Sequence, residues 1–165
     1  MINSKIDNTD IAILLALQKD GKIKNINLAE KIALSPSPCL QRVKRLEKIG
    51  LIQSYGAKIA IDKITDTIQI LTQFTISSDT LEAHHLFQKT IVKKQEVMDC
   101  FMGSGGFDYQ VRFICRNIEH YQSTIQSILD SEVNISKYHS YVVMKEIISR
   151  TEYPIASLLG PETSN

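Results

Sequence analysis

Apolar positions recur every three to four residues through the first fifty positions of the chain and then give way to alternation. Ile6, Ile11, Leu14 and Leu15 hold helical spacing up to Asp20-Gly21, a pair that stops a helix. Asp7-Asn8-Thr9-Asp10 supplies side-chain oxygens for the free N–H groups at its start. Asn25 or Asn27 is the expected cap of a second, short helix with Leu28, Ala29 and Ile32 on its inner stripe. Leu34-Ser35-Pro36 then turns the chain. Serine accepts from free N–H groups, and proline at the first helical position loses no hydrogen bond. A third helix is therefore expected from about Pro36 to Gly50, a natural C-terminal glycine.

Past Gly50 the chain reads as extended to about Ile61, and the polar stretch 62–67 is the expected boundary between two modules, 1–60 and 61–165. The second module predicts strand (68–77), helix (80–94), strand (97–102), a glycine-rich turn, strand (107–115), helix (118–131) and strand (138–147). The fold class is thus α+β: a helix-turn-helix module followed by a ferredoxin-like βαββαβ module, its sheet antiparallel with helices on one face. The other face needs a partner, which predicts an even-numbered oligomer built from dimers, with Ile70, Phe74, Val142 and Met144 as apolar material for it.

Composition narrows the class. Apolar residues make up 43% of the 165 and charged ones 22%, enough core to offset ordering entropy, so a disordered chain is excluded. No apolar run is long enough to span a membrane, and residues 1–5 lack the pattern of a secretory leader. Cys39, Cys100 and Cys115 form no Cys-x-x-Cys and sit among apolar neighbours, which predicts buried, reduced thiols and a cytoplasmic protein. The net charge of +1 conceals a split: residues 1–60 hold ten Lys and Arg against five Asp and Glu, and the remainder nine against thirteen. A basic module that meets a polyanion, joined to a mildly acidic one, is the implied arrangement.

On a wheel at about 100° per residue, the third helix turns Cys39, Leu40, Val43 and Leu46 inward. Ser37, Pro38, Gln41, Arg45 and Lys48 fall opposite, flanked by Arg42 and Lys44. Such a face suits a DNA major groove entered by the helix N-terminus, which brings Ser35, Ser37 and Pro38 to the duplex. Gln41 and Arg42 are then the expected base readers, and Lys44 and Arg45 the phosphate contacts. The same wheel also fits a solvated cationic face on a three-helix core. Turn chemistry and regional charge favour DNA.

The run Leu28-Ala29-Glu30-Lys31-Ile32-Ala33-Leu34-Ser35-Pro36-Ser37-Pro38-Cys39-Leu40-Gln41-Arg42-Val43-Lys44-Arg45-Leu46-Glu47 resembles the helix-turn-helix of the Lrp/AsnC (feast/famine) family. Asp7-x-x-Asp10-x-x-Ile13-Leu14, Lys19-Asp20-Gly21-Lys22, Gly50-Leu51-Ile52-Gln53-Ser54-Tyr55, Gly105-Gly106-Phe107-Asp108-Tyr109 and Tyr141-Val142-Val143-Met144 extend the likeness over about residues 6–150. The resemblance implies a transcriptional regulator that binds double-stranded DNA through its first module. It implies a second module that dimerises, commonly assembles four dimers into an octamer, and binds amino acids as effectors. It also implies that the linking strand, about 52–60, pairs with its counterpart in the dimer.

Gly103-Ser104-Gly105-Gly106 fails as a phosphate loop, because its spacing is wrong and a strand follows it. Its bare N–H groups suit a carboxylate, and Asp108 beside it suits an ammonium, the two charged ends of an α-amino acid. By resemblance this turn lies at the family's effector site between dimers, giving Met102, Ser104, Gly105, Gly106, Asp108 and Tyr141 as the candidate set, with Met102 and Tyr141 as walls. Gly106 departs from an acidic or polar residue common among relatives, and Gln110 from an aliphatic one. The alternative for Asp108 is a plain strand-end carboxylate. His84-His85, His120 and His139 lack metal-ligand spacing, and no nucleophile setting or cofactor motif is present, so no metal, no cofactor and no catalysis are expected. The alternatives are an architectural DNA binder of low specificity and a tetrapyrrole decarboxylase of related fold; the basic third helix disfavours the latter.

Overall fold

The computed structural model describes residues 6–160; the stretch 1–5, read above for a leader, lies outside them. In chain order the elements are α1 (Asn8–Lys19), α2 (Asn25–Lys31), α3 (Pro36–Lys48), a 3-10 turn (Ile61–Lys63), β1 (Ile68–Ile76), α4 (Leu81–Val92), β2 (Val97–Met102), β3 (Tyr109–Cys115), α5 (Ile118–Leu129), β4 (Ile135–Val142) and α6 (Ile155–Leu159). They fall into two compact units. The first takes in the described residues up to Lys58 and again from Ile148, and the second is Ile59–Ile147. The tail from Ile148 therefore groups with the helical unit, not with the sheet as the 61–165 division has it.

In the helical unit, α1 opens with reciprocal capping: Asp10 N–H donates to Asp7 Oδ1 (2.8 Å) and Asp7 N–H to Asp10 Oδ2 (3.1 Å). Ile13, Leu28, Cys39 and Leu46 form the core. Neither Asn25 nor Asn27 caps α2. The helix begins at Asn25 itself, whose amide instead donates to the Pro36 carbonyl (2.8 Å) and ties the two helix starts together. Ser35 sits at the N-cap of α3 through its backbone; its hydroxyl makes no capping bond. Both α2 and α3 end in the same left-handed cap. Leu34 N–H reaches Ala29 O and Ala33 N–H reaches Glu30 O; Leu51 N–H reaches Leu46 O and Gly50 N–H reaches Glu47 O. Gly50 takes this conformation at φ 76°, but at the first cap it falls to Ala33, at φ 55°.

The stretch 52–60 joins no strand among the described residues. It is held instead by Tyr55, whose hydroxyl donates to Glu47 (2.9 Å), and by Lys58, whose ammonium donates to Ser149 O (2.8 Å). Burial and the Glu47 carboxylate push the Tyr55 phenol up to about 12. Gln18 clasps the tail at two points, accepting from Tyr153 N–H (2.8 Å) and donating to Tyr153 O (3.3 Å).

The second unit is a four-stranded antiparallel sheet in the order β2-β3-β1-β4, the ferredoxin-like topology. Alternate residues of β1 and β3 are buried, among them Ile70, Phe74, Tyr109, Val111 and Phe113. Phe87 of α4 stacks on Tyr109 (centroids 4.3 Å) and meets Phe74 edge-on (5.3 Å). Ile70 and Phe74 thus point into the core, not toward the open face where they were expected. The open face carries Leu71, Gln69, Gln73 and Arg112, which share the opposite register. Arg112 bonds Asp99 through Nε (2.6 Å) and Nη2 (2.5 Å), and Gln69 through Nη1 (3.3 Å). The last strand runs 135–142 rather than 138–147, because the ladder continues past an irregularity at Thr75/Ile76 to pair Ile76 with Ile135. Met144 falls beyond it and is exposed. Cys39 and Cys115 are buried as expected, but Cys100 on edge strand β2 is exposed.

A β-carbon in the left-handed region costs roughly 1 kcal/mol that glycine avoids. Ala33→Gly is expected to stabilise the helical unit by up to about 1 kcal/mol, and Gly50→Ala to destabilise it by a similar amount. Urea denaturation of the two variants checks both signs.

Candidate functional site

The exposed face of α3 is set by what its other face must reach. Cys39 and Leu46 are fully buried, so Ser37, Gln41, Lys44 and Lys48, spaced at four, three and four residues, form an exposed strip. Ser35 and Pro38 are exposed at its N-terminal end. Leu40, expected inward, is 42% exposed and lies beside this strip.

Arg42 and Arg45 turn the other way, onto the start of α1. Arg42 Nη1 donates to Asp7 Oδ2 (2.6 Å) and to Asp10 Oδ1 (2.9 Å), while Arg45 Nη2 bonds Asp10 Oδ2. Asp10 has no solvent exposure, and both arginines are only partly exposed. Its carboxylate accepts from both guanidinium groups and from the Asp7 N–H, so the buried charge is fully paired. The Asp10 N–H bond and the Arg42 guanidinium hold the Asp7 carboxyl below its ordinary range against the opposing effect of burial. The same bonds raise Arg42 further above its own. A cleft of about 360 Å³ lies among Asp7, Pro38, Gln41, Arg42 and Arg45. Its two arginines pair with Asp7 and Asp10, so formal charge there cancels, and the remaining cations of α3 are Lys44 and Lys48, with Glu47 between them in sequence. Sequence reasoning missed this lock, although Asp-x-x-Asp at the start of α1 and Arg-x-x-Arg in α3 share one helical spacing.

In the second unit, the turn between β2 and β3 is open. Ser104, Gly105 and Gly106 are exposed, and their N–H groups bond to nothing else in the described chain. Only Gly105 is left-handed, at φ 120°. Asp108 closes the turn: its N–H donates to Phe74 O and its carbonyl accepts from Gly103 N–H, both at 2.9 Å. Its carboxylate Oδ2 accepts from Ile76 N–H (2.7 Å), just past the last β1–β3 pair. Asp108 thus ties the end of the turn to β1, and among the described residues it makes no ion pair. The next residue, Tyr109, is anchored through its hydroxyl to Gln88 (3.0 Å) and His84 Nδ1 (2.9 Å).

Met102 and Tyr141 do not share this turn within one chain. Met102 pairs with Tyr109 and so lies on the helix-covered face of edge strand β2. Tyr141 pairs with Leu71 on the open face of the opposite edge strand, β4. Among the described residues no cluster of His, Cys, Asp and Glu has metal-binding geometry, and no helix is long and apolar enough to cross a membrane.

Residues 6–53 match the winged helix-turn-helix DNA-binding domain, and residues 69–153 match the Lrp/AsnC ligand binding domain. The chain is 38% identical to the transcriptional regulatory protein DoeX of Halomonas elongata, over 87% of this chain and 90% of that one. It is 31% identical to the leucine-responsive regulatory protein of Escherichia coli, over 89% and 93%. A transcriptional regulator of Neisseria meningitidis, solved as a complex with L-methionine, superposes with a TM-score of 0.84 at 32% identity, covering 93% of this chain and 99% of that one.

The lock makes a titration prediction. Asp7 has a folded-state pKa below its unfolded one, so its stabilisation is present above about pH 4 and is lost as pH falls through the depressed folded value. Carboxyl-carbon NMR of Arg42→Gln is expected to show the Asp7 midpoint rising part of the way, since the Asp10 N–H bond remains. An unmoved midpoint would mean that Arg42 does not hold Asp7.

Proposed function

The chain belongs to the Lrp/AsnC family of DNA-binding transcriptional regulators, and on that premise we propose how its residues divide the work. The helix α3 enters the major groove by its N-terminal end, with Ser35, Ser37 and Pro38 against the backbone, Gln41 reading a base edge and Lys44 on a phosphate. The observation that carries this is the exposed strip Ser37–Gln41–Lys44–Lys48 on a helix whose arginines are committed to Asp10. Arg42 and Arg45 serve as positioning residues that fix the angle of α3 on α1, rather than as base and phosphate contacts. The two units then act as a DNA-binding module and an effector module, in a cytoplasmic homodimer that assembles toward an octamer.

The effector is a free α-amino acid, seated with its carboxylate on the N–H groups of Ser104, Gly105 and Gly106 and its ammonium at Asp108. The unbonded N–H groups of the turn support this reading, as does the L-methionine in the Neisseria relative. Met102 and Tyr141 stand on opposite faces of one sheet, so both can wall the site only if different copies of the chain contribute them. The relatives matched are transcriptional regulators, and the site proposed here binds rather than transforms its ligand.

Anisotropy measurements on a selected operator test the DNA half. Lys44→Ala is expected to lower the slope of log K against log salt by about 0.9 and to weaken all sequences alike. Gln41→Ala is expected to relax preference at one base pair, by about 1–3 kcal/mol if the contact is bidentate. If neither changes binding, α3 does not read the groove.

A thermal-shift screen of the proteinogenic amino acids, followed by calorimetry, tests the effector half. Asp108→Asn keeps an oxygen for Ile76 N–H but removes the charge, so the best ligand is expected to weaken by about 1.5–3 kcal/mol. Equal affinities would move the ammonium site elsewhere.

A further inference from the structure

One apolar side chain stands exposed beside the polar strip of α3. Leu40 is 42% exposed, whereas its neighbour Cys39 and its helix-mate Leu46 are fully buried. It follows Ser37 by three residues and precedes Lys44 by four, so it shares their flank of the helix, with Gln41 next to it. It is the fifth residue of α3, within the half that a helix-turn-helix inserts into the groove. An exposed leucine elsewhere on a surface needs no explanation, but here it faces a particular chemistry. The floor of the major groove presents hydrogen-bonding groups at every base pair and one apolar group, the C5 methyl of thymine. A leucine there has that methyl as its apolar partner, and against any other base edge it only displaces water from polar groups.

We propose that Leu40 is a specificity-determining residue that packs on a thymine C5 methyl, beside the base pair that Gln41 reads. The inference rests on α3 being the groove-entering helix, and it adds a contact made without any hydrogen bond. It predicts that the operator half-site contains a thymine at a fixed offset from the Gln41 position, recognised for its methyl alone.

The test is a uracil scan of the operator that the full-length protein selects from a random library. Replacing thymine by deoxyuridine removes the methyl and leaves Watson–Crick pairing intact. For the wild type, one thymine per half-site is expected to weaken binding about fourfold when replaced, the equilibrium equivalent of losing one buried methyl at about 0.8 kcal/mol. Leu40→Ala is expected to bind the thymine and uracil forms of that position equally, while its salt slope and its preference at the Gln41 position stay as in the wild type. A wild type indifferent to every uracil overturns the proposal, and this arm requires no variant to fold. A Leu40→Ala variant as uracil-sensitive as the wild type also overturns it, by assigning the methyl contact to another residue. If the wild type selects no sequence at all, or binds unchanged when Gln41 and Lys44 are replaced, the premise about α3 falls and takes the role of Leu40 with it.

Discussion

A carboxylate with no access to solvent, that of Asp10, joins the first helix of the DNA-binding unit to the third. It accepts from Arg42, Arg45 and the Asp7 N–H, and its own N–H closes the cap of α1 on Asp7. A buried charge is tolerated only when its lone pairs are filled, so the angle between α1 and α3 is fixed by the need to keep both arginines on it. The display of the other polar residues follows. With Arg42 and Arg45 bonded to the aspartates of α1 and Cys39 and Leu46 buried, the exposed surface of α3 includes Ser37, Leu40, Gln41, Lys44 and Lys48. In these ion pairs two arginines meet two aspartates, so their formal charges cancel.

The second unit uses the same logic with weaker bonds. Asp108 is fastened to β1 at two points, by its N–H on Phe74 O and by its carboxylate on Ile76 N–H, and Tyr109 is fastened to α4 through Gln88 and His84. The four residues before Phe107 are thereby left as an exposed loop between fixed ends. Loops of this kind on rigid scaffolds are where binding sites commonly reside. The open sheet face carries Leu71 beside the Arg112–Asp99 pair, with Gln69, Gln73 and Arg112 half-buried.

The helices and strands were legible because their signals are local. Hydrophobic periodicity located every element of the sheet to within a few residues except the last strand, whose position depends on pairing past Thr75 rather than on its own composition. Side-chain roles that depend on a distant partner were not legible. Asn25 left the capping role for a carbonyl eleven residues away, and Arg42 and Arg45 were taken by carboxylates more than thirty residues away. The wheel placed Leu40 inward because it counts hydrophobicity and not the width of the face that α1 and α2 can cover. That Met102 and Tyr141 lie on opposite faces was not legible either, because it is decided by strand register and not by residue type.

The central claim is that the arginines of α3 lock the helix while its lysines meet the duplex. A double-mutant cycle on Asp10 and Arg45, combined with the salt dependence of DNA binding by Arg45→Ala, tests it most directly. The account predicts a stability coupling of about 1–3 kcal/mol between the two residues. It also predicts that Arg45→Ala keeps the wild-type slope of log K against log salt even where its affinity falls. A slope lowered by about 0.9, with no coupling to Asp10, would make Arg45 a phosphate contact and contradict the account.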